Sequence, residues 1–200
     1  GEITEWFGTG RDVTERRMTQ ERQGFLLELG ELLRTSTSPS AAMNAACELL
    51  AKRLGADMVH LVGVHEDGDS YEVLASYGAH WLPARLLTSG RISDHGSEWG
   101  PQMRRGEAVF SDDNDMRPGT DGEVQKDLGF RSGSAIPLIR DGRLVAVFST
   151  SYAQPRRWTE AEKALLREMA ERIWDMVERM RAERALAERE ARLDAILETA

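Results

Sequence analysis

Ser132-Gly133-Ser134-Ala135-Ile136-Pro137-Leu138-Ile139, then Arg140-Asp141-Gly142-Arg143, then Leu144-Val145-Ala146-Val147-Phe148-Ser149-Thr150-Ser151-Tyr152 is the stretch on which the fold turns. Two apolar runs flank an Asp-Gly pair. That pair is preferred in the two-residue type I′ turn, because both central positions need φ > 0. Leu144 to Phe148 is apolar at every position. A strand with one wet face would alternate, so this hairpin is expected at the centre of a sheet covered on both sides.

A second hairpin lies upstream. Met58 to His65 is a β-branched apolar run, Asp67-Gly68-Asp69 is a turn, and Tyr71 to Tyr77 is the return strand. Before it, Ser38 caps a helix with Pro39 at its first position, where a missing N–H costs little. That helix carries Met43, Cys47, Leu50, Ala51 and Leu54 on one side and stops at Gly55. Earlier still, Asp12 and Glu15 form a capping box for a polar helix from Val13 to about Arg34, with Phe25, Leu26, Leu29, Leu32 and Leu33 as its apolar stripe. Gly24 and Gly30 weaken this helix and leave room for a kink.

Between the hairpins, residues 78–107 are Gly-rich, with a short helix expected near Ser97 to Arg105. Ala108-Val109-Phe110 reads as a short strand, Ser111 to Gly122 as an acidic loop and Glu123 to Leu128 as a helical turn. The order of elements predicts an α+β fold with a mostly antiparallel sheet, the helices from both ends of the chain lying together on one face.

From Thr159 to Ala200 there is neither Gly nor Pro. Thr159 and Glu162 form a capping box, and the composition predicts one helix of roughly 60 Å. Leu166, Met169, Ile173, Met176 and Met180 follow alternating three- and four-residue steps, which reads as a coiled-coil dimer seam. After Met180 the phase slips: Glu183 falls on the apolar line, and Leu186, Leu193 and Leu197 resume on a shifted one. Such a discontinuity alters local winding and suggests a rod with two packings that a sensor could bias.

Of the 200 residues, 40% are hydrophobic and 30% charged, and the net charge is -8. The acidic balance and the absence of a basic patch argue against nucleic acid as a partner. The single cysteine rules out an internal disulfide. No apolar run approaches a membrane span, and Gly1-Glu2-Ile3-Thr4-Glu5 is unlike a secretory signal, so a cytoplasmic location is expected. The chain opens and closes in mid-pattern, as an excised part of a longer protein would.

Pro39 to Trp158 resembles a GAF domain. The resemblance rests on Ala45-Ala46-Cys47-Glu48-Leu49-Leu50 leading to Leu54-Gly55-Ala56-Asp57, and on Gly106-Glu107-Ala108-Val109-Phe110-Ser111-Asp112-Asp113. It rests above all on Gly129-Phe130-Arg131-Ser132-Gly133-Ser134-Ala135-Ile136-Pro137-Leu138 with its return Asp141 to Phe148. Pro155-Arg156-Arg157-Trp158-Thr159-Glu160-Ala161-Glu162 looks like the exit of GAF domains in bacterial sensor histidine kinases. Glu5 to Thr9 and Asp12 to Arg16 look like the end of a PAS domain, and Arg192 to Ala200 like the start of another PAS domain or of a kinase dimerisation region. The resemblance implies four segments: the end of a PAS domain (1–12), a linker helix (13–38), a GAF domain (39–158) and a coiled-coil output helix (159–200). It implies a GAF-like antiparallel sheet with long terminal signalling helices. The expected role is a non-catalytic sensory module of a two-component phosphorelay, working as a parallel homodimer beside PAS and kinase domains. A ligand-free dimerisation spacer and a regulator of a cyclic-di-GMP enzyme are the alternatives. No kinase motif lies in the chain.

Candidate chemistry is sparse. Cys47 sits on an apolar helix face and is followed by Glu48, whereas a bilin-attaching cysteine is usually followed by histidine. One thiol cannot supply the attacking and resolving pair of a sulfoxide reductase. No cofactor is therefore required by the sequence. His60 shares strand parity with Met58, Val62 and Val64 and is expected inward as a satisfied core histidine. His95 is the better ligand candidate. No histidine pair has metal-ligand spacing. Asp112, Asp113, Asn114, Asp115 and Asp121 read as a solvated loop, lacking calcium-loop spacing. Trp81, His95, Trp99, Met103, Phe110 and Phe130 either line a sheet–helix pocket or fill it.

Overall fold

A computed structural model describes residues 13–36, 38–78, 88–116 and 126–198. The expected PAS terminus (1–12), Trp81, His80, Asp121 and the first half of the helical turn at 123–128 lie outside the described residues.

Helix α1 (Val13–Thr35) is one uninterrupted helix, with Gly24 and Gly30 inside it. No Cβ contact would be made at either glycine, so neither marks a close approach that would force a kink. Helix α2 (Pro39–Leu54) has Ser38 as N-cap, its Oγ accepting from the Ala41 N–H, and ends at Gly55 in left-handed backbone. Strand β1 (Met58–Val64) pairs antiparallel with β2 (Ser70–Gly78) across the first hairpin. A short edge strand β3 (Ser89–Arg91), a 3-10 turn (Ile92–His95) and helix α3 (Trp99–Arg104) follow. Strand β4 (Val109–Ser111) precedes the long hairpin of β5 (Ser132–Arg140) and β6 (Arg143–Tyr152). Helix α4 (Glu160–Glu198) closes the chain.

The six strands stand in the order β3-β2-β1-β6-β5-β4, all antiparallel. Asp141 and Gly142 take φ of 51° and 74°, the two positive values a type I′ turn demands. Each hairpin carries one register shift, at Leu61/Val62 and at Leu138/Ile139.

Both faces of the sheet are covered, as the unbroken apolar runs predict. On one face, Val59, Leu61, Ile136, Leu138, Ala146 and Phe148 pack against α1, α2 and α4 in the main core. On the other, Val62, Ala135, Leu144 and Val147 meet Tyr71, Ile92 and Met103. The acidic loop is paired rather than simply solvated. Arg131 donates to both carboxylate oxygens of Asp113 and reaches Asp115 at 2.8 Å, while Lys126 holds Asp115 at 3.2 Å.

Helix α4 corrects the seam assignment. Leu166, Met169 and Ile173 are fully buried and Met176 nearly so, all in the chain's own core, with Met180 packed at its margin. A stripe at three- and four-residue steps serves a core-facing helix as well as a coiled coil, and here the sheet and its neighbouring helices occupy it. Beyond Met180 the described side chains as far as Arg192 are exposed, so only the distal part of the helix stands clear of the body.

Candidate functional site

The strand period of two sends alternate residues of β1 and β6 to opposite faces. Met58, His60 and Val62, with Val147, Ser149 and Ser151, therefore face away from the helices and floor a cavity of about 110 Å³. Tyr71, the 3-10 turn and α3 form one wall through His95 and Trp99. Val109 and Ser111 of β4, with Asn114, Leu128 and Phe130, form the other. Gly133 also lines the floor, and a Cβ there would stand only 2.7 Å from the Thr150 carbonyl oxygen.

The exposed surface of the cavity is mainly apolar, and several of its polar groups are paired, Ser134 with Thr150 among them. Tyr71 Oη and His95 Nε2 lie 3.0 Å apart, and the His95 ring leans on Trp99 with centroids 5.1 Å apart. Asn114, buried, donates from Nδ2 to the Phe130 carbonyl. His60 is buried without a partner: it is 8% exposed, and its Nε2 has no hydrogen-bond partner among the described residues. The expectation of a satisfied core histidine is corrected here: the ring is buried but half orphaned, because its strand parity points it at a cavity instead of at a partner. Burial, assisted by the nearby His95, pushes its pKa down to about 4, so it is neutral near pH 7. His95 is shifted down as well, chiefly by burial and against the opposing pull of Asp94.

Of the sequence candidates, the structure brings His95, Trp99 and Phe130 to this cavity. Met103 is fully buried in the layer beside it, within the packed cluster of Ile92 and Val147. Phe110 does not reach it. Its neighbours Val109 and Ser111 face the cavity, so strand alternation turns Phe110 to the helix side, edge-on to Trp158 at 5.4 Å and beneath Arg167. Tyr71, Ser149 and Ser151 are not among the sequence candidates, and Asn114 is read there only as part of the acidic loop. The parity shared by Met58, His60 and Val62 was the available sign of this floor, but the partner strands' contribution needed the register.

One strand links the cavity to the last helix. Strand β5 has Gly133 and Ala135 at the cavity and Arg140 at its far end. The Arg140 guanidinium meets Glu171 at 2.8 Å, Asp175 at 2.9 Å and Glu178 at 3.5 Å, all on α4. At the start of α4, Arg156 lies 4.3 Å from both the Tyr152 and Trp158 ring centroids and pairs with Glu162.

A six-stranded antiparallel sheet with helices packed on one face and a cavity on the other defines the class: an α+β module that can enclose a small ligand. A GAF domain family model matches residues 36–178, and the chain belongs to that family. Among solved structures, the chromophore-binding domain of a bacteriophytochrome from R. palustris matches at TM-score 0.70 and 16% identity, over 82% of this chain and 63% of that one. The free methionine-R-sulfoxide reductase of Neisseria meningitidis, solved with its substrate, matches at TM-score 0.67 and 18% identity, over 90% and 99%. The phycoerythrobilin-bound GAF domain of a cyanobacterial phytochrome matches at TM-score 0.69 and 16% identity, over 82% and 97%. At these identities the likeness is one of fold. No curated protein sequence matches the chain.

The residues present do not fit a covalently attached bilin. Cys47 lies on α2, fully buried in the main core across the sheet from the cavity, and burial pushes its thiol up to about 12. Among the described residues no group of three His, Cys, Asp or Glu side chains gathers as a metal site, and no helix is long and apolar enough to cross a membrane.

Proposed function

We propose that this chain is the sensory GAF module of a bacterial two-component histidine kinase, non-catalytic itself, converting occupancy of the sheet-face cavity into a shift of α4. The observation that carries the reading is β5, which touches the cavity at one end and grips three carboxylates of α4 through Arg140 at the other. A ligand that displaces Gly133 or Ala135 moves a hydrogen-bonded strand, and a strand clamped between β4 and β6 moves largely as a unit. The resulting displacement reaches Glu171 to Glu178 on the helix that leads out of the domain. Flanking PAS and kinase segments, and a parallel homodimer, complete this reading.

Hydrogen exchange tests the coupling. Ala135→Met puts added bulk into the cavity from its own floor. Exchange of α4 amides around residues 171–178 should change at least about threefold, which is roughly 0.6 kcal/mol of local stability. The same substitution made together with Arg140→Ala should leave those amides as they are in Arg140→Ala alone. Equal propagation with and without Arg140 would overturn the mechanism.

A further inference from the structure

We infer that the cavity selects a small uncharged ligand, about the size of one aromatic ring, that hydrogen-bonds to Nε2 of His60. The inference rests on the sensory reading of this cavity and adds the chemistry of what enters it.

Three observations converge. The first is charge. Among the described residues no Asp, Glu, Lys or Arg lines the cavity, so an ionic ligand would lose its water without gaining a counter-charge. The second is size and surface. About 110 Å³ walled by Phe130, Trp99 and Val62 suits a single ring or a compact aliphatic molecule, since an engineered apolar cavity of about 150 Å³ holds benzene.

The third is the orphaned nitrogen. His60 sits on β1 between β2 and β6, so its backbone is held on both sides and its ring cannot swing out to water without breaking the sheet. The neighbouring His95 is already engaged by the Tyr71 hydroxyl and does not compensate it. A buried polar atom left unmade costs more than a typical hydrogen bond gains, so an occupant offering a donor or acceptor at this point is favoured over one that does not. The neutral imidazole can take either part and brings no charge of its own. Water is the competing occupant, because a polar cavity of this size also accommodates solvent.

Phenol, toluene and benzoate separate these terms. They share one ring and differ in hydrogen-bonding group and charge. Titration of the purified chain is followed by calorimetry, and the His60 ring nitrogens are followed by NMR. Phenol should bind at one site and shift the His60 Nε2 resonance. Toluene should bind about fivefold or more weakly, corresponding to the roughly 1 kcal/mol of one hydrogen bond. Benzoate should not bind. In His60→Leu the preference for phenol over toluene should vanish, and His60→Gln, which keeps a polar tip, should restore part of it.

Equal affinity for phenol and toluene in the wild type overturns the His60 contact while leaving the cavity a ligand site. Benzoate binding as well as phenol overturns the uncharged class. No binding by any of the three, with the His60 resonance unmoved, means a water-filled cavity, and overturns both this inference and the sensory reading of the cavity.

Discussion

His60 shows how one buried side chain carries stability and pH response together. Its folded pKa is depressed to about 4 from an ordinary 6.5, so the unfolded chain takes up a proton that the folded chain refuses. Folding is therefore favoured by this residue above about pH 6.5, and that contribution drains away as pH falls toward 4. At pH 4.5 the loss amounts to about 2 kcal/mol. The paired carboxylates Asp69 and Asp113 are also shifted down, so their contributions also fade in acid, but equally in a variant that lacks only the imidazole. Urea unfolding at pH 7 and pH 4.5 should then show His60→Leu losing about 2 kcal/mol less than the wild type. An equal loss in the two proteins would mean that His60 stays solvated in the folded state.

At the level of elements, the start of α4 is set by local chemistry. The Thr159 hydroxyl accepts from the Glu162 N–H at 3.2 Å, and the Glu162 carboxylate accepts in return from the Thr159 N–H at 2.9 Å. Thr159→Ala removes half of this box and should lower stability by about 1 kcal/mol, read as a shift of the thermal midpoint with the dichroism of the folded state unchanged. A shift well below half that size would mean that core packing of Leu165 and Leu166 alone fixes the helix start. Features of this kind were legible in the sequence because they are short-range. The Thr159–Glu162 box, Pro39 and Gly55 around α2, and the Asp141-Gly142 turn each depend on three or four adjacent residues. What the sequence left open depends on long-range register. Phe110 and Val109 are adjacent and both apolar, and only the pairing of β4 with β5 decides which one meets the cavity. Strand β3 and the 3-10 turn at Ile92–His95 exist because Arg91 and Ser93 bind Asp69 across the first hairpin, a contact no local pattern announces. Cavity residues were therefore found where parity sufficed and missed where a neighbouring strand supplied them.

For the molecule as a whole, the correction of α4 changes what a dimer must be made of. Leu166, Met169 and Ile173 are fully buried inside one chain, so they cannot also form a surface between two. Among the described residues the large apolar side chains left in the open are Met116 in the turn after β4, 81% exposed, and, on the terminal helices, Leu27 of α1, 75% exposed, and Leu186 of the distal part of α4, 58% exposed. The helix from 181 to 192, whose described side chains are all exposed, runs for about 18 Å at 1.5 Å per residue. A lone helix of that length is marginal in water unless it finds a neighbour, and a second copy in parallel would supply one. The proposed homodimer therefore joins through the outer face of α1 and the distal rod, with the body of each GAF domain intact on its own. Two substitutions distinguish this from a seam through the core stripe. Leu27→Arg combined with Leu186→Arg should shift sedimentation from dimer toward monomer while near-ultraviolet dichroism stays native. Met169→Glu should instead unfold the chain, because it places a charge in a fully buried site, at a cost of several kcal/mol. Should Met169→Glu give a folded monomer, the stripe belongs between chains after all; should the wild type sediment as a monomer at high concentration, the distal rod finds no partner in its own copy and the two-chain output is wrong.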